Sequence, residues 1–121
     1  MKRVLAAVLS LAIAEAAPVW AGEADVVGVE IAGANGVYRF DVTVRHGDTG
    51  WAHYADKWDV IAPDGSVLGT RVLLHPHETE QPFTRGLGGV AIPDNLSEVT
   101  LRAHDKVHGY GGTEITVTVP R

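Results

Sequence analysis

The sequence predicts an all-β protein in which two antiparallel sheets pack face to face behind a short N-terminal export signal. From residue 25 onward apolar and polar residues alternate with a period of two, and no useful stretch repeats with the helical period. Turn-forming clusters such as Gly33-Ala34-Asn35-Gly36 interrupt the alternation at short intervals. Ahead of them stand two cations, an apolar run and a small-residue motif, in the order of a signal peptide.

Lys2 and Arg3 form the positive start of that leader, and Val4 to Ala14 form its apolar run. Val19-Trp20-Ala21 sets small residues at the −3 and −1 positions of a cleavage site. The expected organisation is a signal peptide over 1–21 and one β-sandwich domain over 22–121. The apolar run is shorter than the roughly 20 residues that span a hydrocarbon core. No cysteine follows it to carry a lipid. The processed protein is therefore expected to be periplasmic or secreted and free of the membrane.

The first strand covers about Asp25 to Ala32, with Val27, Val29 and Ile31 on one face. Asn35-Gly36 then supplies the positive φ of a tight hairpin. Val37 to Arg45 is the clearest strand: Tyr38, Phe40, Val42 and Val44 face the core, and Arg39, Asp41, Thr43 and Arg45 face water. The third strand, Ala55 to Ile61, turns Trp58 and Val60 inward. Pro63-Asp64-Gly65-Ser66 leads to a fourth over Val67 to Leu74. Phe83 to Ile92 holds a fifth, with Gly86, Gly88 and Gly89 marking a bulge. Glu98 to His104 and Thr113 to Val119 complete the set, with Val99, Leu101, Ala103, Ile115, Val117 and Val119 inward. Seven short strands with a tryptophan on the third predict an immunoglobulin- or fibronectin III-like antiparallel sandwich.

The chain carries a formal charge of −5. Loss of Lys2, Arg3 and Glu15 leaves eight basic against fourteen acidic residues, or −6. An acidic domain without a basic stretch has no electrostatic hold on nucleic acid. There is no cysteine, so stability must come from packing, or from packing and a bound ion. The only methionine is Met1, so the processed domain offers a metal no sulfur.

Six histidines lie in or next to only three connections. His46 and His53 flank the loop after the second strand, His75 and His77 open the one after the fourth, and His104 and His108 bracket the one before the last. Consecutive connections in such a sandwich alternate between its ends, so these three share one pole. Imidazoles gathered there suit a divalent copper, zinc, nickel or iron ion. His75, His77, His104 and His108 are the first candidates as ligands, with His46 and His53 beside them. Asp48, Asp56, Glu78, Glu80 and Asp105 are near enough in sequence to ligate or to accept from ring N–H groups. Trp51, Tyr54 and Tyr110 are expected to form an apolar lid over the same pole. The bland alternative is that the histidines are solvated, or plug the loops together without a metal.

His46, the His53-Tyr54 pair running into a strand with Trp58, Asp64-Gly65, and His108-Gly109 near the C-terminus together resemble the desulfoferrodoxin or superoxide reductase family. That resemblance implies an immunoglobulin-like sandwich carrying one iron on histidines and a cysteine thiolate. His46, His53 and His108 would correspond to iron ligands. The thiolate has no counterpart here, and His75-Pro76-His77 has no place in the pattern.

Gly-x-Ser-x-Gly is absent, and without cysteine there is no recognisable nucleophile, so an enzyme is the less favoured reading. The leading expectation is an exported, histidine-rich sandwich that binds one metal ion, copper or zinc before iron, as a carrier or buffer. The alternatives are a metal-free module that binds a protein or glycan, and a superoxide reductase-like redox protein. A periplasmic protein partner fits the first two.

Overall fold

The computed structural model describes residues 22–121. The leader and its cleavage motif fall on residues 1–21, outside that range. Seven strands follow one another: β1 (Asp25–Ala34), β2 (Val37–Arg45), β3 (Ala55–Ile61), β4 (Val67–Val72), β5 (Phe83–Ala91), β6 (Glu98–Asp105) and β7 (Ile115–Thr118). They form a three-stranded sheet in the order β1-β2-β5 and a four-stranded sheet in the order β4-β3-β6-β7. All pairings are antiparallel. β4 lies beside β3 instead of extending the β1-β2-β5 sheet, which departs from the constant-type immunoglobulin arrangement. Among the described residues no helix is long and apolar enough to cross a membrane.

The alternation read from sequence is the burial pattern of β2, where Tyr38, Phe40, Val42 and Val44 are all buried. Trp58 and Val60 of β3 meet them from the other sheet, each with no exposed surface, and Leu101 of β6 joins them. β1 departs from the expected phase. A register shift between Val26 and Gly28 lets Val26 take the fully buried place, while Val27 is only half-buried. One extra residue in a bulge reverses the alternation on its far side, and the side-chain pattern alone does not mark where that happens. The bulge anticipated in β5 is present: Tyr38 pairs with Val90 and Phe40 with Leu87, leaving an unmatched residue in the glycine run, where Gly89 has φ 70°.

The two ends of the sandwich differ in chemistry. At one, Asn35 (φ 59°) and Gly36 (φ 83°) form the two-residue hairpin turn, and the Ile92 N–H donates to the Gly36 carbonyl. Tyr38 hydroxyl donates to the Pro120 carbonyl there, tying the C-terminal segment down. All six histidines belong to the connections and strand ends at the opposite pole.

Leu101→Ala is expected to destabilise the domain by about 2–5 kcal/mol, since a fully buried leucine loses both burial and packing. Urea denaturation should show a lower midpoint with an unchanged slope.

Candidate metal centre

β6 ends in Asp105, whose side chain is fully buried at the histidine pole. Its Oδ2 accepts from the backbone N–H groups of Val107 (3.1 Å) and His108 (2.9 Å). His53 Nε2 lies 3.0 Å from the same oxygen, His108 Nδ1 3.1 Å and His46 Nε2 3.8 Å. The rings of His46 and His53 meet edge to face at 4.8 Å between centroids, and those of His53 and His108 lie 5.0 Å apart. Asp105 Oδ1, equally buried, has no hydrogen-bond partner among the described residues. One ligand atom each from His46, His53 and Asp105 all lie within 4.8 Å of one another.

His46 is the buried hub of this pole. Its Nδ1 is 2.5 Å from Asp48 Oδ1, and its Nε2 is 2.7 Å from the Gly22 carbonyl oxygen. The Gly22 carbonyl and an ionised Asp48 both accept, an arrangement that favours the doubly protonated ring. Burial alone would lower its pKa. The Asp48 hydrogen bond, the charges of Asp48 and Asp105 and the Gly22 carbonyl together outweigh burial and hold it above the ordinary histidine value. Asp48 is desolvated too, which would raise its pKa, but donors from His46, His77 and Ala55 bring it below the carboxylate norm. For Asp105 burial is likewise overcome, by the His108 and Val107 N–H groups, the His108 ring and the His46 charge.

Asp48 and Gln81 stitch the loops together. The His77 N–H donates to Asp48 Oδ2 (2.7 Å) and the Ala55 N–H to Oδ1 (3.1 Å). Gln81 accepts from the His46 N–H and donates to the His77 carbonyl.

The six candidate histidines divide into three groups. His46, His53 and His108 surround Asp105. His75 and His77 pair at 4.6 Å between ring centroids, on the β4–β5 connection. There His77 is stacked on Phe83 at 3.9 Å, and its Nε2 accepts from Arg85 at 3.0 Å. Burial, Arg85 and His75 keep the His77 pKa below the ordinary value. His104 precedes Asp105 on β6 and therefore faces the other side of the sheet, where its Nδ1 lies 2.6 Å from Asp56. Strand alternation thus separates His104 from the Asp105 group, although the two residues adjoin in sequence.

The aromatic residues do not form a common lid. Trp51 is 65% exposed and touches Tyr54 edge-on, while Tyr54 itself is buried. Tyr110 folds back over the outer face of the four-stranded sheet. Its hydroxyl donates to Asp59 at 2.5 Å, and the Arg102 guanidinium lies 4.0 Å above its ring. Asp59 is 2% exposed despite facing outward, because Thr70, Arg102 and Tyr110 all donate to it. This clamp fixes the β6–β7 connection that carries His108. A charged residue at an outward strand position ordinarily marks a wet face, so nothing in the alternation reveals it. The Gly22 carbonyl is a backbone group and leaves no mark in side-chain chemistry at all.

Fold and site together define a cysteine-free, all-β sandwich with a buried histidine–aspartate cluster at one pole. No protein-family model matches the chain, and no solved structure matches it. It is 44% identical over 96 residues to a curated protein named "Putative lipoprotein" from Halomicrobium mukohataei. The match covers 78% of this chain and 47% of that protein, so the chain spans about half the length of the curated relative it matches.

In the metal-free protein the raised pKa of His46 stabilises the fold fully below the unfolded histidine value of about 6.5. That contribution is lost as the pH rises through the folded value. The lowered values of Asp48 and Asp105 stabilise it above the unfolded carboxylate value of about 3.9, and this is lost as the pH falls through their folded values. His77, with its lowered value, acts in the opposite sense to His46 and loses stability as the pH falls below about 6.5. Urea midpoints measured in chelator should therefore fall on the acid side as His77 and the two carboxylates take up protons and on the alkaline side as His46 loses one, and His46→Asn should abolish the alkaline decline. Tyr110→Phe should cost about 1.5–3 kcal/mol in the same measurement, the worth of a hydrogen bond to a charged group.

Proposed function

We propose that this is an exported β-sandwich protein that binds one divalent transition-metal ion at the histidine pole and carries or buffers it. The observation that carries the reading is the convergence of His46 and His53 on a buried carboxylate with one unpartnered oxygen. A bare buried acceptor costs roughly 1–3 kcal/mol, and a cation held by the same carboxylate would offset part of the cost of burying Oδ1. Nitrogen and oxygen ligands of a tetrahedral zinc ion, at about 2.0–2.1 Å, stand roughly 3.3 Å apart. The separations of 3.0, 3.1 and 3.8 Å around Asp105 Oδ2 bracket that spacing. His46, His53 and Asp105 would form the centre with His108 beside them; His75, His77 and His104 lie in other settings and are not assigned to it. Imidazole and carboxylate donors without sulfur favour Zn(II) or Cu(II) over Cu(I). The ring nitrogens that now donate to oxygen would lose those protons on metal binding, so uptake would release protons.

Export is supported by the cationic start, apolar run and Val19-Trp20-Ala21 motif, and by the lipoprotein name of the curated relative. No lipid is proposed on this chain, which has no cysteine to carry one. The three histidines picked out by the superoxide reductase resemblance are the three around Asp105, which favours a metal at this place. Superoxide reduction is not part of the proposal, because the thiolate is missing.

A second reading is a metal-free interaction module. Trp51 (65% exposed), Leu74 (74%) and Val107 (59%) all stand on connections of the histidine pole, where they could grip a protein or glycan. In that case the His46 imidazolium serves only to plug the loops.

Protein purified without a histidine tag and titrated with Zn(II) or Cu(II) is expected to bind one equivalent. Asp105→Asn and His53→Ala should each weaken binding by at least about tenfold. The ion should be released as the pH falls through roughly 6 to 5, where imidazole protonates. A stoichiometry near zero and a melting temperature insensitive to EDTA would leave the interaction module standing.

A further inference from the structure

We infer that Gly22 completes this centre, through its carbonyl oxygen and, once the leader is removed, through its α-amino nitrogen. The inference rests on the metal reading and on cleavage after Ala21.

The Gly22 carbonyl oxygen is 2.7 Å from His46 Nε2, the nitrogen that also faces Asp105 Oδ2 at 3.8 Å. An ion replacing the Nε2 proton would have both the carbonyl and the carboxylate in its neighbourhood, the carbonyl yielding a few tenths of an ångström to reach ligand spacing. The segment bearing Gly22 is held firmly against the β6–β7 connection, which also bears His108. Val26 N–H donates to the Thr113 carbonyl at 2.9 Å, and Thr113 N–H donates to Asp25 Oδ1 at 2.7 Å. Ala24 is buried, and Gly112 passes so close that a Cβ there would meet the Ala24 carbonyl at 2.0 Å. Gly22 is therefore placed by the fold, and its nitrogen is placed with it.

Within one residue the nitrogen and carbonyl oxygen are separated by only Cα and C. Together with a metal they close a five-membered ring wherever ψ sets the two on the same side of the Cα–C bond, so a carbonyl ligand keeps the second donor within reach of the ion. In the precursor this nitrogen is a planar amide whose lone pair is delocalised into the carbonyl, so it is a poor ligand. Hydrolysis of the Ala21–Gly22 bond adds the hydroxyl of water to the Ala21 carbonyl carbon and leaves a free amine on Gly22. An α-ammonium group gives up one proton near pH 8 in water, and the neutral amine, like neutral imidazole, can coordinate. Removal of the leader would then build the last ligand, and the tight site would exist only in the exported protein.

The test compares the exported protein with a form carrying one extra alanine between Ala21 and Gly22. The insertion moves the amine one residue outward and turns the Gly22 nitrogen back into an amide. Mass spectrometry establishes the first residue of each, and thermal unfolding in EDTA establishes that each is folded. With Cu(II) as probe, the exported form should bind at least tenfold more tightly and show one more coordinated nitrogen by electron paramagnetic resonance. Gly22→Ala keeps both donor atoms and should bind like the natural protein, even if the insertion disturbs folding. Equal affinity and identical spectra for the natural and inserted forms would overturn the inference while leaving the metal reading intact. So would a first residue other than Gly22 in a protein that still binds. Failure of the natural form to bind Cu(II) at all would remove the metal reading, and this inference with it.

Discussion

A carboxylate with no exposed surface is the constraint around which this pole is organised. Asp105 sits at the end of a central strand, and taking its charge out of water is costly unless hydrogen bonds and opposite charge surround it. The fold meets that demand with two backbone N–H groups and three imidazole rings drawn from two connections. Asp48 makes the same demand a few ångströms away and meets it with His46 and the N–H groups of Ala55 and His77. Two buried carboxylates therefore gather the loops of an otherwise ordinary sandwich into one connected end. Among the described residues Asp105 Oδ1 remains bare. The proposed cation would meet its ligands at this carboxylate.

The network also takes the place of cross-links. A domain of this size without a disulfide has only packing and polar ties to hold its connections. Asp48 and Gln81 reach from one connection to the next, and the Asp59 clamp on the outer face holds a third through Tyr110. These contacts fix where His53 and His108 stand, so site geometry and loop stability share the same interactions. Losing one partner of such a buried group leaves its charge uncompensated, which is why these positions should respond sharply to substitution.

Much of the architecture was legible because strand alternation records burial directly. The inward sets of β2, β6 and β7 follow it, and Asn35-Gly36 and the β5 glycines mark a hairpin and a bulge by conformations that other residues take only with strain. The misreading at Val27 has the same origin. A bulge changes the phase of a strand without changing its composition, so Val26 and Val27 look interchangeable until they are paired with β2. Within the site, the six histidines could be placed at one pole from connectivity, but not sorted among themselves. His104 and Asp105 differ only in which face of β6 they occupy, and Asp59 resembles any other polar outward residue until Tyr110 covers it.

The sequence alone therefore determined that this chain is all-β, where its strands run, and that its imidazoles lie in alternate connections. Those properties are local: they depend on residue type and a period of two. Only the tertiary structure decided that His46, His53 and His108 meet at Asp105, that His75 and His77 pair elsewhere, and that the Gly22 carbonyl faces the central ring. Such meetings depend on how widely separated loops cross at the end of the sandwich. A buried charge selects its partners there by distance and hydrogen-bond geometry, which no spacing along the chain encodes.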